Sequence, residues 1–223
     1  MKIRNNIKTP EKGSFLYEKS FSVMFSVPPL MKAYYPHDDF DDIVNYVKGL
    51  QYETTNGSID NSQSVDTFVL NKDIFSNLNE FIKDCVKEYT DKIFVTDQEL
   101  NVTQSWVNRT KIGQEHHYHY HQNSILSGVF FLKEGSPIKF LNNRNYSFQL
   151  EHKKDVNPYN QYNQTTYEYP SEPRILVLFP SYLPHYVPLN TGGDRYSMSF
   201  NTFPSGSFGS KAGLTYVNLE KEV

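Results

Sequence analysis

A mainly β domain with helices packed outside a sandwich or barrel is what this sequence predicts, and three observations carry the prediction. Two amphipathic helical patterns lie in the front half, before residue 100. After that point the chain breaks into short runs of strand-type residues separated by turn-forming ones. Seventeen Tyr and sixteen Phe among 223 residues suit strands better than helices.

Taken in order, residues 1–30 read as an irregular or strand-like lead-in, with an apolar stretch Phe21–Val27 ahead of Pro28-Pro29. A first helix follows Pro36. Phe40, Ile43, Val44 and Val47 keep helical spacing, Asp38, Asp39, Asp41 and Asp42 favour its positive end, and Gly49 stops it. Residues 51–66 are polar without periodicity and are expected to be a surface loop. The second helix should run from Asn71 or Asp73 to about Lys92. Ile74, Phe75, Leu78, Phe81, Ile82, Cys85, Val86, Tyr89 and Ile93 recur at its 3.6-residue period. Cys85 falls on that apolar stripe and is expected in the core rather than as a reactive thiol.

Strands follow. Leu100–Arg109 alternates, with Val102, Gln104, Trp106 and Asn108 on one side. Ser124–Leu132 is a buried-strand run and Ile138–Leu141 a short one. Residues 142–172, rich in Asn, Gln and Tyr, suggest a long excursion at the rim. Arg174–Phe179 is another buried strand, stopped by Pro180. Arg195–Asn201 closes the set, with Arg195, Ser197, Ser199 and Asn201 on one face and Tyr196, Met198 and Phe200 on the other. The organisation expected is one domain over 1–223, with helical support in 1–98, a β core over about 99–203 and a tail of 204–223. That tail either folds back over the barrel or pairs two copies in a homodimer.

Composition narrows the functional classes. Net charge is −3 with no long run of one sign, which gives electrostatic binding to nucleic acid or anionic membrane little support. No apolar run approaches a bilayer span, and Met1–Asn6 is basic without the apolar region of a signal peptide. The lone Cys85 fits a reducing compartment, so a cytoplasmic location is expected.

Four of the seven histidines fall within six residues, His116-His117-Tyr118-His119-Tyr120-His121. In extended backbone His117, His119 and His121 share a side, while His116 points away. Imidazoles spaced this way can share a transition metal, with a third donor from elsewhere, and His185 in Phe179–Val187 is the best candidate. A solvated histidine cluster is the bland alternative. His37 and His152 lack such context and read as surface residues. Three strands carrying polar stripes fit a barrel with a polar interior, where a buried Arg195 would need an anion.

Together, His119-x-His121-x-Asn123-Ser124-x-Leu126-Ser127-Gly128-Val129, then Leu178-Phe179-Pro180-Ser181 with His185 and Val187, then Arg195-x-Ser197-x-Ser199-Phe200-Asn201, resemble a family of 2-oxoglutarate- and iron(II)-dependent oxygenases of bacteria and their viruses. Trp106-x-Asn108 is similar too. The resemblance spans roughly residues 100–203 and implies a double-stranded β-helix, the cupin-like jelly roll. It implies Fe(II) held by His119, His121 and His185, with His117 as an alternative ligand in a His117/His119 pair. It also implies 2-oxoglutarate bound by Arg195 and Ser197, and a pocket lined by Trp106, Asn108, Ser127, Ser199 and Asn201. Dioxygen and 2-oxoglutarate would be consumed, succinate and carbon dioxide released, and a C–H bond of a protein side chain such as prolyl, or of a small molecule, hydroxylated. One departure is that the wider superfamily has a carboxylate where this chain has His121, which leaves the site more positive by one charge. The rivals are a three-histidine cupin-type dioxygenase that does not use 2-oxoglutarate, and a non-catalytic jelly-roll module contacting a partner through segment 142–169.

Overall fold

The computed structural model describes residues 29–54, 60–142 and 164–219. The apolar stretch Phe21–Val27, His152 and most of the segment 142–169 lie outside them. Two sheets stack face to face. The larger is built from β1 (Met31–Tyr34), β2 (Tyr52–Thr54), β3 (Ser62–Ser64), β4 (Leu100–Thr110), β6 (Leu126–Lys133), β9 (Ile175–Pro180) and β11 (Arg195–Pro204), in the order β1-β9-β6-β11-β4-β3-β2. The smaller contains β5 (His116–His119), β7 (Ile138–Leu141), β8 (Thr166–Tyr169) and β10 (His185–Val187), in the order β5-β10-β7-β8. All pairings between these strands are antiparallel. This is the jelly-roll architecture.

The apolar runs at β6 and β9 are continuous because both faces of the larger sheet are covered. Phe130, Leu132, Leu176 and Leu178 face the helices, in a cluster with Tyr196, Met198 and Phe200 of β11. Val129, Phe131, Val177 and Phe179 face the smaller sheet, where Ile138 and Phe140 meet them. Gly128 has no side chain because the Phe200 ring crosses there; a Cβ would lie 2.2 Å from its Cζ. The helices are α1 (Phe40–Lys48), ended by Gly49, and α2 (Ser76–Tyr89), which buries Leu78, Ile82, Cys85, Val86 and Tyr89. No helix among the described residues is long and apolar enough to cross a membrane.

Several expectations need correction. The second helix is regular only over Ser76–Tyr89. Lys72 is extended and divides two 3-10 turns in front of it, and a π turn over Thr90–Phe94 follows. That wider turn changes the phase of the stripe, and Ile93 is exposed. The polar stretch 51–66 is not simply a surface loop, since it holds β2 and β3. Its inward positions are hydrophilic but bonded: Ser64 Oγ accepts from the Val107 N–H at 3.0 Å, and Asn61 Nδ2 donates to Asn108 Oδ1 at 2.9 Å. On β4 the stripe is interrupted. Asn201 pairs with Gln104 but Thr202 with Val102, so one residue of β4 is extra. Val102 therefore packs with the helix-side cluster, opposite Trp106 and Asn108. The excursion predicted over 142–172 contains β8, whose Tyr169 ring stacks on Phe131. Beyond Pro204 the tail forms an exposed ribbon of β12 (Ser207–Phe208) and β13 (Val217–Asn218).

Candidate functional site

His185 opens β10 and is 3% exposed. Register places it opposite His119 of β5, with ring centroids 4.3 Å apart. His121 lies two residues beyond β5. Its N–H donates to the Ser181 carbonyl at 3.0 Å, and its ring is 5.2 Å from those of both His119 and His185. Ser181 is itself tied down, its hydroxyl 2.7 Å from Ser124 Oγ and 2.8 Å from Ser127 Oγ. One nitrogen from each of His119, His121 and His185 lies within 4.8 Å of the others, a group that could hold a metal ion.

Hydrogen bonding fixes how two of these rings present themselves. His119 Nδ1 lies 2.7 Å from the His117 carbonyl, and His185 Nδ1 lies 2.8 Å from the Leu183 carbonyl. A carbonyl only accepts, so each Nδ1 carries the proton and each Nε2 keeps a free lone pair. Electrostatics agree. Burial holds His121 down to about 4 and His185 to about 3, with the neighbouring His119 adding to both. Burial also lowers His119. All three are neutral at pH 7, the form that binds metals.

Arg195 lines the same cavity and is 2% exposed. Its Nε donates to the Ser136 carbonyl at 3.0 Å and one terminal nitrogen to Ser197 Oγ at 2.9 Å. Among the described residues no carboxylate pairs with it, and burial alone brings its pKa down to about 10. It remains charged at pH 7. Gly135 makes room for it, since a Cβ there would sit 2.5 Å from Arg195 Cβ.

Of the residues expected at the site, His119, His121, His185, Trp106, Asn108, Arg195, Ser197 and Ser199 share one small cavity, partly open to solvent. Ser127 and Asn201 do not line it; they bond to each other at 2.8 Å beneath. His117 does not either. It is exposed, and its Nδ1 lies 3.3 Å from Asp60, so it stands outside the group of three. His116, expected to point away, instead lines the cavity and stacks on His119 at 4.3 Å. The reason is a bulge: His185 pairs with His119 and Val187 with His116, so three residue steps on β5 match two on β10. Strict alternation fails there, which is why the sequence misplaced both histidines. Sequence reasoning also missed Asn61, which anchors Asn108, since nothing in a polar loop-like stretch marks it.

Three neutral imidazoles suit a divalent first-row metal, and a buried guanidinium without an acidic partner suits a carboxylate. The residues therefore fit an iron(II) ion with a dicarboxylate beside it. Comparison with known proteins points the same way. Residues 104–201 match a family model described as "Putative 2OG-Fe(II) oxygenase". No curated protein matches the chain by sequence. Among solved structures, a Pseudomonas putida prolyl-4-hydroxylase is similar at TM-score 0.57 and 11% identity, covering 80% of this chain and 94% of its own. The α-ketoglutarate-dependent epimerase SnoN of nogalamycin biosynthesis is similar at TM-score 0.60 and 9% identity, covering 82% of each. HygX from Streptomyces hygroscopicus, solved with nickel and 2-oxoglutarate, is similar at TM-score 0.54 and 13% identity, covering 86% of this chain and 93% of its own. At such identities the structures speak for the fold, and the match over residues 104–201 is to a family model of 2OG-Fe(II) oxygenases, enzymes that use iron(II) and 2-oxoglutarate.

Proposed function

We propose that the protein hydroxylates a C–H bond of a protein side chain, such as a prolyl, or of a small molecule, with iron(II) held by His119, His121 and His185. When bound, the iron and 2-oxoglutarate supply the oxidising chemistry, with succinate and carbon dioxide as co-products. Everything else falls to the chain's own residues. The His117 and Leu183 carbonyls keep two Nε2 lone pairs facing the metal position. Arg195 and Ser197 hold the distal carboxylate, and the aliphatic walls Val129, Ile138 and Val187 keep bulk water away. The observation that carries this reading is Arg195, a buried cation unpaired among the described residues, in the same cavity as the three histidines. A cupin-type dioxygenase without 2-oxoglutarate would have no use for it, and a binding module none for the histidine group.

The test is direct. Arg195→Ala should weaken 2-oxoglutarate binding by on the order of 100-fold, the scale of a lost charge-assisted pair, and leave metal content intact. His185→Ala should lose the metal as well, read by elemental analysis after dialysis. Unchanged metal content in His185→Ala would remove His185 from the ligand set. For the reaction, succinate formed in proportion to a hydroxylated peptide would support the protein-side-chain arm.

A further inference from the structure

Four polar residues lining the cavity, Trp106, Asn108, His116 and Ser199, have no part in the proposed function. Trp106, the single tryptophan of the chain, lies on β4 opposite Ser199 and lines the cavity. Its ring is 5.9 Å from that of His121, which places it at the histidine end. Its Nε1 is shielded from solvent and has no hydrogen-bond partner among the described residues. Leaving such a donor unpaired carries a desolvation cost that an incoming acceptor would relieve.

The polar neighbours on the same two strands are already satisfied. Asn108 accepts from Asn61 and donates to Ser199 at 2.9 Å, and Ser197 accepts from Arg195 at 2.9 Å. The indole N–H is a donor only, so whatever meets it must bring an acceptor. Among the described residues no carboxylate lines the cavity. Along β11 the register sets Arg195 four residues from Ser199, roughly 13 Å of strand. Two donors in want of an acceptor thus stand at opposite ends of one cavity.

We propose that Trp106 positions the cosubstrate: its indole N–H donates to a carboxylate oxygen at the keto-acid end of 2-oxoglutarate, while Arg195 holds the far end. The inference rests on the reading that 2-oxoglutarate lies between the histidines and Arg195. A carboxylate pinned only at its distal end could pivot; a second donor at the metal end fixes the rotation that presents the keto acid.

Because there is one tryptophan, uniformly ¹⁵N-labelled protein gives a single indole N–H resonance that needs no assignment. In the full-length protein loaded with Zn(II), which supports no oxidation, 2-oxoglutarate should move that resonance downfield and slow its exchange with solvent. By calorimetry on the same zinc protein, Trp106→Phe should weaken 2-oxoglutarate binding roughly tenfold without changing zinc content, the scale of a hydrogen bond to a charged group. An indole resonance that stays put at saturating 2-oxoglutarate overturns the role of Trp106, even if Trp106→Phe fails to fold. If Arg195→Ala still abolishes binding in that case, the reading of the cavity survives and only this inference is lost. If 2-oxoglutarate does not bind the wild-type zinc protein, both fall together.

Discussion

Gly135 and Arg195 show how much one missing side chain controls. A methyl group at position 135 would press on Arg195 Cβ at 2.5 Å and Cγ at 2.8 Å, the stem of a fully buried side chain. Gly135→Ala should therefore displace the guanidinium and weaken 2-oxoglutarate binding by about tenfold or more, the scale of a 1–3 kcal/mol overpacking strain. Metal binding, measured separately, should stay as in the wild type. The histidines set a pH dependence whose sign follows from burial. His121 and His185 stay neutral down to about 4 and about 3 in the folded protein, whereas unfolded histidine takes up its proton near 6.5. Between those values the unfolded chain binds more protons, so metal-free protein should lose stability as pH falls below roughly 6.5 and lose no more from this pair below about 3. Urea midpoints between pH 7 and pH 4 would show it; a flat profile would contradict the burial of these rings. The alternation on β11 could be read from sequence, because Arg195, Ser197 and Ser199 do share the cavity face. The places of His116 and His117 could not, because a bulge has no residue signature there.

Elements divide by how their inward positions are filled. The cores of α1 and α2, together with β6, β7, β9 and β11, announce themselves through apolar spacing, since burying that surface is what holds them in place. β2 and β3 do not, because hydrogen bonds do that work instead: Ser64 and Asn61 bond to β4 and its side chains. β5 is legible only as a metal-type cluster, since its strand form depends on pairing with β10, more than sixty residues away. Two substitutions separate element from site. Leu78→Ala on α2 removes a fully buried side chain far from the cavity and should cost about 3 kcal/mol in a urea titration, with zinc stoichiometry unchanged. Gly128→Ala places a methyl group 2.2 Å from Phe200 Cζ and 2.9 Å from Leu178 Cδ2. It should cost about 1–3 kcal/mol and slide β6 against β11, the strand that carries Arg195.

At the scale of the molecule, one sheet supplies the arginine end of the cavity and the other the paired histidines. The cavity is therefore only as well formed as the stacking of the two sheets. Apolar residues between them, Phe131, Phe140 and Phe179 above all, hold that stacking. The buried guanidinium has a consequence for the whole fold. Its cost is borne in the folded state and relieved only by a visiting anion, so Arg195→Met should melt no lower than the wild type when both are tested alone. Metal-loaded wild type should gain about 2.7 kcal/mol at a hundred times the 2-oxoglutarate Kd, and Arg195→Met should gain almost nothing. 2-Oxoglutarate would then act as a detachable piece of this protein's interior.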